Sequence, residues 1–189
     1  MRLTLYTDYA LRTLLYLGGH ADRRVSIREV AQAYGISENH LVKVIHHLGR
    51  GGFVDTLRGR HGGLMLSRPP EQINLGDVVR HTEDDMALVG CMVPPGREGS
   101  RAGERCVLAP ACTLRGVLGE ALGAFMAVLD GQTLADLLRP FEIKTVQAIT
   151  PEGEKRVPES ASESVMESAS ESAPDSAPDS APDSAKKAD

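Results

Sequence analysis

The chain lacks the features that would mark it as a secreted or membrane protein. It contains three cysteines, which cannot pair off completely as intramolecular disulfides. The apolar stretch near its start is too short to span a membrane and is interrupted by Asp8 and Arg12. That stretch also lacks the basic beginning and the cleavage site of a signal peptide. We therefore expect a cytoplasmic protein without a membrane span, in which clustered thiols bind metal or carry out redox chemistry.

The chain also lacks a net positive charge, because the formal charges of its 189 residues sum to −5. Residues 151–189 are rich in Ser, Ala, Glu, Asp and Pro and hold ten acidic and four basic side chains. Such a segment buries too little apolar surface to offset its ordering entropy, so we expect a disordered tail. Residues 1–150 carry 17 basic and 16 acidic side chains, and residues 1–70 alone carry 10 against 5. This basic N-terminal half suggests a polyanion as partner.

Local signals predict two helices at the start of the chain. The first runs from Asp8 to about Gly18, with Thr7 as its N-cap. Asp8 then lies in the first turn, where the helix dipole favours a carboxylate. The second helix begins at a capping box formed by Ser26 and Glu29.

A third helix follows a short turn at Gly35, with Ser37 as its predicted N-cap. Its apolar side has the spacing of a buried stripe and consists of Leu41, Val44, Ile45 and Leu48. Its opposite side is polar and basic and consists of Asn39, His40, Lys43, His46, His47 and Arg50. Two helices joined by a glycine-containing turn, the second with a basic free face, indicate a helix-turn-helix. An ordinary helical hairpin with a solvated face is the alternative.

A predicted β-hairpin comes directly after the third helix. Its strands are residues 53–58 and 64–66, joined by a glycine-rich turn. A hairpin at this place is typical of the wing of a winged-helix domain. Its tip carries Arg58, Arg60 and His61, which suit phosphates or the minor groove. The alternative is a structural hairpin whose basic tip has no function.

Two further helices are predicted beyond the wing, a short one over residues 75–83 and a long one over residues 113–129. The long helix has an apolar stripe of Leu114, Val117, Leu118, Ala121, Leu122, Phe125 and Met126. This stripe is too wide for a lone surface helix, so we assign it to a homodimer interface; packing within one subunit is the alternative. A one-turn helix is predicted from Thr133, and residues 141–149 are predicted as a strand or an extended arm.

All three cysteines lie in one segment, at Cys91, Cys106 and Cys112. Three thiolates are an incomplete ligand set for a zinc ion or a four-iron cluster, so a fourth ligand is expected from elsewhere. Structural zinc sites usually use pairs as close as C-x2-C, whereas the gaps here are fourteen and five residues. The spacing favours an iron–sulfur cluster and leaves zinc, or inert or redox-active thiols, as alternatives.

Four stretches of the chain resemble the NsrR/IscR family of bacterial iron–sulfur regulators. They are LTLYTDYALRTLLYL, the helix-turn-helix and wing over residues 25–69, INLGDVVRHTE, and CVLAPACTLRGVLGEALGAFMAVLDGQTLADLL. The resemblance covers roughly residues 1–140 and is greatest to the NsrR-type members, which are nitric-oxide-sensing repressors. It implies a winged-helix homodimer that holds a cluster on three cysteines.

The resemblance also implies a ligand set. The family's three cysteines match Cys91, Cys106 and Cys112, and the aspartate that NsrR-type members supply from the other subunit matches Asp8. IscR-type members place a histidine ligand three residues after the last cysteine, where this chain has Arg115, so the NsrR branch is favoured. The family separates its first two cysteines by far fewer than the fourteen residues found here, and the inserted residues are expected to loop out.

The function implied by the resemblance is repression at a palindromic operator in double-stranded DNA, relieved when nitric oxide attacks a 4Fe–4S cluster, with 2Fe–2S as the alternative. The predicted DNA contacts are Ser37, Asn39, His40, Lys43, Arg58, Arg60 and His61. One alternative is a regulator of iron or iron–sulfur supply that senses by cluster loss. A zinc-stabilised adaptor that does not bind DNA is another, and so is a redox protein, although the sequence contains no nucleotide-binding motif and no second cysteine group.

The predicted fold class is mainly α, with five segments along the chain. These are a winged helix-turn-helix domain (1–83), an iron–sulfur ligand loop (84–112), a dimerisation helix with a short closing helix (113–140), an uncertain arm (141–150) and a disordered acidic tail (151–189).

Overall fold

The computed structural model describes residues 2–59, 62–93, 108 and 111–151, which all belong to one compact unit. The elements in chain order are α1 (Leu5–Gly19), α2 (Ile27–Tyr34), α3 (Glu38–Arg50), β1 (Val54–Leu57), β2 (Gly63–Leu66), α4 (Leu75–Thr82), α5 (Thr113–Asp130), α6 (Leu134–Leu137) and α7 (Pro140–Ala148). This order confirms a mainly α fold with a winged helix-turn-helix. None of the helices described is both long and apolar enough to cross a membrane. The predicted tail, Cys106, Arg60 and His61 lie outside the described residues.

Helix α1 starts three residues earlier than the sequence predicts. Its N-cap is Thr4, whose side chain accepts a hydrogen bond from the backbone N–H of Thr7 at 3.3 Å. Thr7 is inside the helix and fully buried, and its hydroxyl oxygen lies 2.9 Å from Thr82 Oγ1. The prediction of Thr7 as N-cap was wrong because two threonines suit the cap equally well locally, and burial against α4 decides between them.

The core surrounds α1 and is built from every neighbouring element. Its fully buried members include Ala10, Leu14, Tyr16, Val25, Val30, Leu41, Leu48, Ile73 and Val78. The apolar stripe predicted for α3 lies in this core, because Leu41, Val44, Ile45 and Leu48 are each at most 2% exposed. Burying one such side chain contributes about 1.5–3 kcal/mol to folding, and the stripe fixes which face of α3 remains in solvent.

The wing is a two-stranded antiparallel sheet in which Val54 pairs with Leu66 and Leu57 with Gly63. Leu64 points into the core and also forms a β-bridge with Val25, which attaches the wing to the helices. The turn requires glycine, since a Cβ at position 62 would collide with the carbonyl oxygen of Leu57. The predicted hairpin is therefore confirmed, and its connection is too tight for side chains at this position.

Residues 141–149 form neither a strand nor an extended arm, since residues 141–148 belong to helix α7 and Ile149 is its C-cap. Pro140 stands in the first turn, where its fixed φ suits a helix start. Val146 is buried in the core against Gly19, and Gln147 Nε2 donates to the Gly19 carbonyl at 3.0 Å. The prediction was wrong because β-branched residues favour strands locally, whereas packing on α1 overrides that preference.

Helix α5 matches its predicted range to within one residue and is attached to the domain by its C-terminal end. Arg80 of α4 donates to both carboxylate oxygens of Asp130 at 2.7 and 2.6 Å, and Asn74 Nδ2 donates to the Asp130 carbonyl at 2.7 Å. Only Met126 of the helix is buried. The start of its predicted apolar stripe lies in solvent, with Leu114 62% and Val117 59% exposed, whereas Leu118, Leu122 and Phe125 are half-buried.

Candidate DNA-binding surface and cluster-ligand region

The turn between the two helices of the helix-turn-helix contains a glycine in the left-handed backbone conformation. Gly35 has φ +63° and ends α2, and Ile36 anchors the turn in the core. Asn39, His40 and Lys43 are exposed on α3, as predicted. The geometry thus presents a polar helix face that no other described element covers.

Two predicted start signals are formed only in part. The Ser26 hydroxyl accepts from the Glu29 N–H at 3.1 Å, but the Glu29 carboxylate points into the core. Ser37 is the N-cap residue of α3, as predicted, although its side chain makes no capping hydrogen bond. Its exposed hydroxyl remains available to an outside acceptor such as a phosphate.

His47 does not belong to the free basic face of α3. Its ring stacks on His81 of α4 with centroids 4.1 Å apart and lies 5.5 Å from the ring of Tyr6. His81 Nε2 lies 2.8 Å from the carbonyl oxygen of His47. Burial, followed by the electrostatic effect of the neighbouring His81 and Arg50, lowers the pKa of His47, which favours its neutral form. His47 therefore packs α3 on α4 rather than adding a cation to the surface.

The start of α1 is fastened to the end of α4 by Glu83. Glu83 Oε1 accepts from the Thr4 N–H at 2.8 Å, from the Thr4 hydroxyl at 2.9 Å and from the Thr7 hydroxyl. A carboxylate at a helix N-terminus is favoured by the helix dipole. Tyr6 adds a link to α3, since its hydroxyl donates to the carbonyl oxygen of Lys43 at 2.9 Å. These tertiary contacts have no local sequence signal, and our sequence analysis missed them.

An open groove of about 910 Å³ lies along the exposed side of α3. Its walls consist of Thr4, Tyr6, Val42, Lys43, His46, His47, Arg50, Thr82, Glu83, Asp84 and Asp85. The α3 wall is basic and the wall after α4 is acidic, so the groove carries both signs of charge. On the wing, Arg58 is exposed, and no contact is described for the predicted Arg60 and His61 because they lie outside the described residues.

Three of the four predicted cluster ligands, Asp8, Cys91 and Cys112, are among the residues that the structure describes. Cys91 lies in a short 3-10 turn, Gly90–Met92, and Cys112 is the N-cap residue of α5. Both are free thiols and partly exposed. Asp8 lies on the exposed side of α1, where its Oδ1 accepts from Arg12 Nε at 2.9 Å. Among the described residues no three metal-binding side chains converge, but Cys106 is not one of them.

A buried polar network connects α1, α2 and the end of α7. The Glu29 carboxylate, fully buried, binds the guanidinium of Arg23 and accepts from the Tyr16 hydroxyl at 2.8 Å. Thr150 Oγ1 lies 3.2 Å from the Tyr16 hydroxyl and 2.8 Å from His20 Nε2. Burial raises the pKa of the Glu29 carboxyl, but the bonds from Arg23 and Tyr16 outweigh it and leave the pKa lowered. Burial also raises the pKa of Tyr16 to about 12.

A wing beside a helix-turn-helix with an exposed polar second helix defines a winged-helix DNA-binding protein. The family model that matches the chain is Rrf2, described as iron-dependent transcriptional regulator, over residues 3–140. The chain belongs to the Rrf2 family, and it is a DNA-binding transcriptional regulator rather than an enzyme.

Individual relatives agree with this assignment. The HTH-type transcriptional regulator NsrR of Bacillus licheniformis is 48% identical over 139 residues, which are 73% of this chain and 92% of that protein. The structure of IscR from T. potens superposes with a TM-score of 0.57 at 25% identity, over 73% of this chain and 86% of the other. CymR, the global cysteine regulator of B. subtilis, superposes with a TM-score of 0.56 at 26% identity, over 73% and 96%.

Proposed function

We propose that the protein is a homodimeric repressor whose operator binding depends on an iron–sulfur cluster that reacts with nitric oxide. The observation that carries the DNA-binding part is the solvent-facing polar side of α3, backed by a fully buried stripe on the other side. The 48% identity to the NsrR of B. licheniformis supports the nitric oxide part. A regulator of chromosomal operators would act in the cytoplasm.

The first half of α3 is suited to read base edges in the major groove. Asn39 and Lys43 are one turn apart on its exposed side, so they lie about 6 Å apart along the axis, close to the rise of two base pairs. Asn pairs well with adenine, and Lys with guanine or a phosphate. The Ser37 hydroxyl and Arg58 on the wing flank this region and would contact the DNA backbone.

The second copy would cover the open face of α5. Leu114 and Val117 lie on one side of this helix and are more than half exposed, which is costly for a monomer in water. Pairing two such stripes about a twofold axis would bury them and would place two copies of α3 on one face of the dimer. A dimer with twofold symmetry matches a palindromic operator, because each subunit binds one half-site.

The cluster would be held by Cys91, Cys106 and Cys112 of one subunit and by Asp8 of the partner subunit. The described donors fit this role, because Cys91 and Cys112 are free and partly exposed and Asp8 lies on an outer helix face. Arg12 binds the Asp8 carboxylate and would orient it. An iron–sulfur cluster supplies an iron reactive toward nitric oxide, and carboxylate oxygen is a harder donor for that iron than thiolate.

Contacts within the subunit would transmit the state of this site to α3. Glu83 fastens the start of α1, which carries Asp8, to the entrance of the cysteine segment. Tyr6 binds the α3 backbone, and the His47–His81 stack packs α3 on the helix that leads to Cys91. A movement of the cysteine segment would therefore reach the DNA-reading helix through these few packed contacts.

The DNA-binding part is tested with Lys43→Ala and a control of equal charge change. Lys144 lies exposed on α7, which has no part in the proposed DNA surface. In anaerobic gel shifts, Lys43→Ala should weaken operator binding about tenfold, whereas Lys144→Ala should bind like wild type. Equal affinities of the two variants would reject α3 as the recognition helix.

The cluster part is tested by removing thiols. Cys106→Ala and Cys112→Ala should each give protein with little iron after anaerobic purification, and with poor operator binding. The assays are iron, sulfide and zinc determination, the visible absorption spectrum and the gel shift. Stoichiometric zinc without iron in the wild-type protein would instead support the zinc-stabilised adaptor.

A further inference from the structure

The polar face of α3 contains one large apolar side chain that neither the core nor helix formation explains. Val42 is 50% exposed, and it was not among the predicted DNA contacts. Its neighbours one turn away on either side, Asn39 and His46, are exposed polar residues. Valine is a weaker helix former than Arg, Lys, Gln or Glu because its branched side chain loses rotamer freedom. A partner outside the subunit would account for it.

We propose that Val42 selects a thymine in each operator half-site by packing on the 5-methyl group of that base, an inference that rests on the DNA binding proposed above. The thymine methyl is the apolar group on the major-groove edge of the base pairs, and apolar side chains contact it. Val42 is the fifth residue of α3, within the N-terminal half that reaches base edges in helix-turn-helix proteins.

The neighbouring side chains agree with a base contact rather than a protein contact. Val42 shares its wall of the groove with Lys43, His46 and Arg50, and the acidic residues that follow α4 line the opposite wall. Cationic neighbours suit the phosphates on either side of a base, whereas protein interfaces are depleted of charge at their centre. Asn39, one turn earlier, lies about 4.5 Å back along the helix axis, so it would address a base pair adjacent to the thymine.

The test begins with an operator selected by the cluster-loaded protein from a random double-stranded DNA library under anaerobic conditions. Each thymine of the selected half-site is then replaced by deoxyuridine, which removes only the 5-methyl group. At one position the loss should weaken wild-type binding about fourfold, and about fifteenfold when both half-sites are changed, as expected for one buried methyl group in each. Binding is measured by fluorescence anisotropy of the labelled duplex.

Protein variants show whether Val42 is the side chain responsible. Val42→Ala should bind the thymine and deoxyuridine operators equally, and Val42→Thr, which keeps one methyl group, should retain part of the difference. Alanine favours helix, so Val42→Ala should fold. Phe141→Ala is the control, because it removes a 77% exposed apolar side chain from α7 and should keep the full wild-type difference.

Two failures can be told apart. If no palindromic site is enriched, the proposed function fails and this inference fails with it. If a site is enriched but it contains no methyl-sensitive thymine, or if the methyl effect persists in Val42→Ala, the DNA-binding function stands and the role of Val42 is overturned.

Discussion

Glu29→Gln should destabilise the domain strongly although it changes few atoms. The Glu29 carboxylate is fully buried and is bound by Arg23, whose side chain is only 19% exposed. Glutamine has nearly the same shape but no charge, and its amide group would direct a donor at the donors of Arg23. The guanidinium would then be largely buried without the carboxylate that binds it.

The size of the effect follows from this burial. Removing one partner of a buried ion pair costs about 3–5 kcal/mol, because the other charge remains desolvated. Arg23 keeps some contact with water and can relax outward, so we expect about 2–3 kcal/mol for Glu29→Gln. In a domain of this size each kcal/mol lowers Tm by about 2–4 °C, which places the expected loss at about 4–12 °C.

The assay is thermal unfolding followed by circular dichroism, with Asp77→Asn as the control. Asp77 lies 3.5 Å from Arg80 in an exposed pair, so removing its charge should leave Tm unchanged within error. Similar Tm values for Glu29→Gln and wild type would refute the reasoning, since they would mean that the buried pair contributes no more than a surface pair.

The pH dependence provides a second check on the same residue. Because the pKa of Glu29 is lowered in the folded state, its contribution to stability is present above its ordinary value of 4.5 and is lost as pH falls through the folded-state pKa. The Tm difference between wild type and Glu29→Gln should therefore be full at neutral pH and shrink below pH 4.5. A difference that grows on acidification would contradict the assignment.

Three further predictions concern the C-terminal half and the wing. Truncation after Thr150 should leave Tm unchanged within error and operator affinity within a few fold of the full chain. Truncation after Arg139 should destabilise the protein, because it removes α7 and its buried Val146. Leu114→Glu should shift the protein from dimer to monomer in light scattering, and an unchanged mass would move the interface elsewhere. Arg58→Ala should reduce the salt dependence of DNA binding by about one unit of slope per protomer, and an unchanged slope would exclude a phosphate contact.

The elements that the sequence predicts well are those whose signals are local. The apolar residues of α3 repeat with the period of a helix, and this repeat predicts which side of α3 faces the core. Leu41 and Leu48 are buried as expected. The wing likewise follows from alternation around a glycine-rich turn. In each case the secondary-structure propensity of the residues, their hydrophobic pattern and their packing in the fold favour the same structure.

The remaining features depend on contacts between residues far apart in the chain. Helix α7 exists because Val146 packs on Gly19, and residues 141–149 alone favour a strand. His47 is removed from the basic face by its stack with His81. For the candidate site, the exposure of Asn39 and Lys43 on α3 could be predicted from helical spacing. The Glu83 link between α1 and α4 could not, because hydrogen bonds across 79 residues leave no periodic signal.

The central claim is that nitric oxide releases the protein from its operator through a cluster shared between subunits. The most direct measurement records operator anisotropy and visible absorption together while nitric oxide is added to the anaerobic, cluster-loaded protein. We expect release in step with the absorption change, and Asp8→Ala should show a more labile cluster with weaker operator binding before any addition. Release without a change in absorption, or full retention of DNA after the absorption change is complete, would contradict the claim.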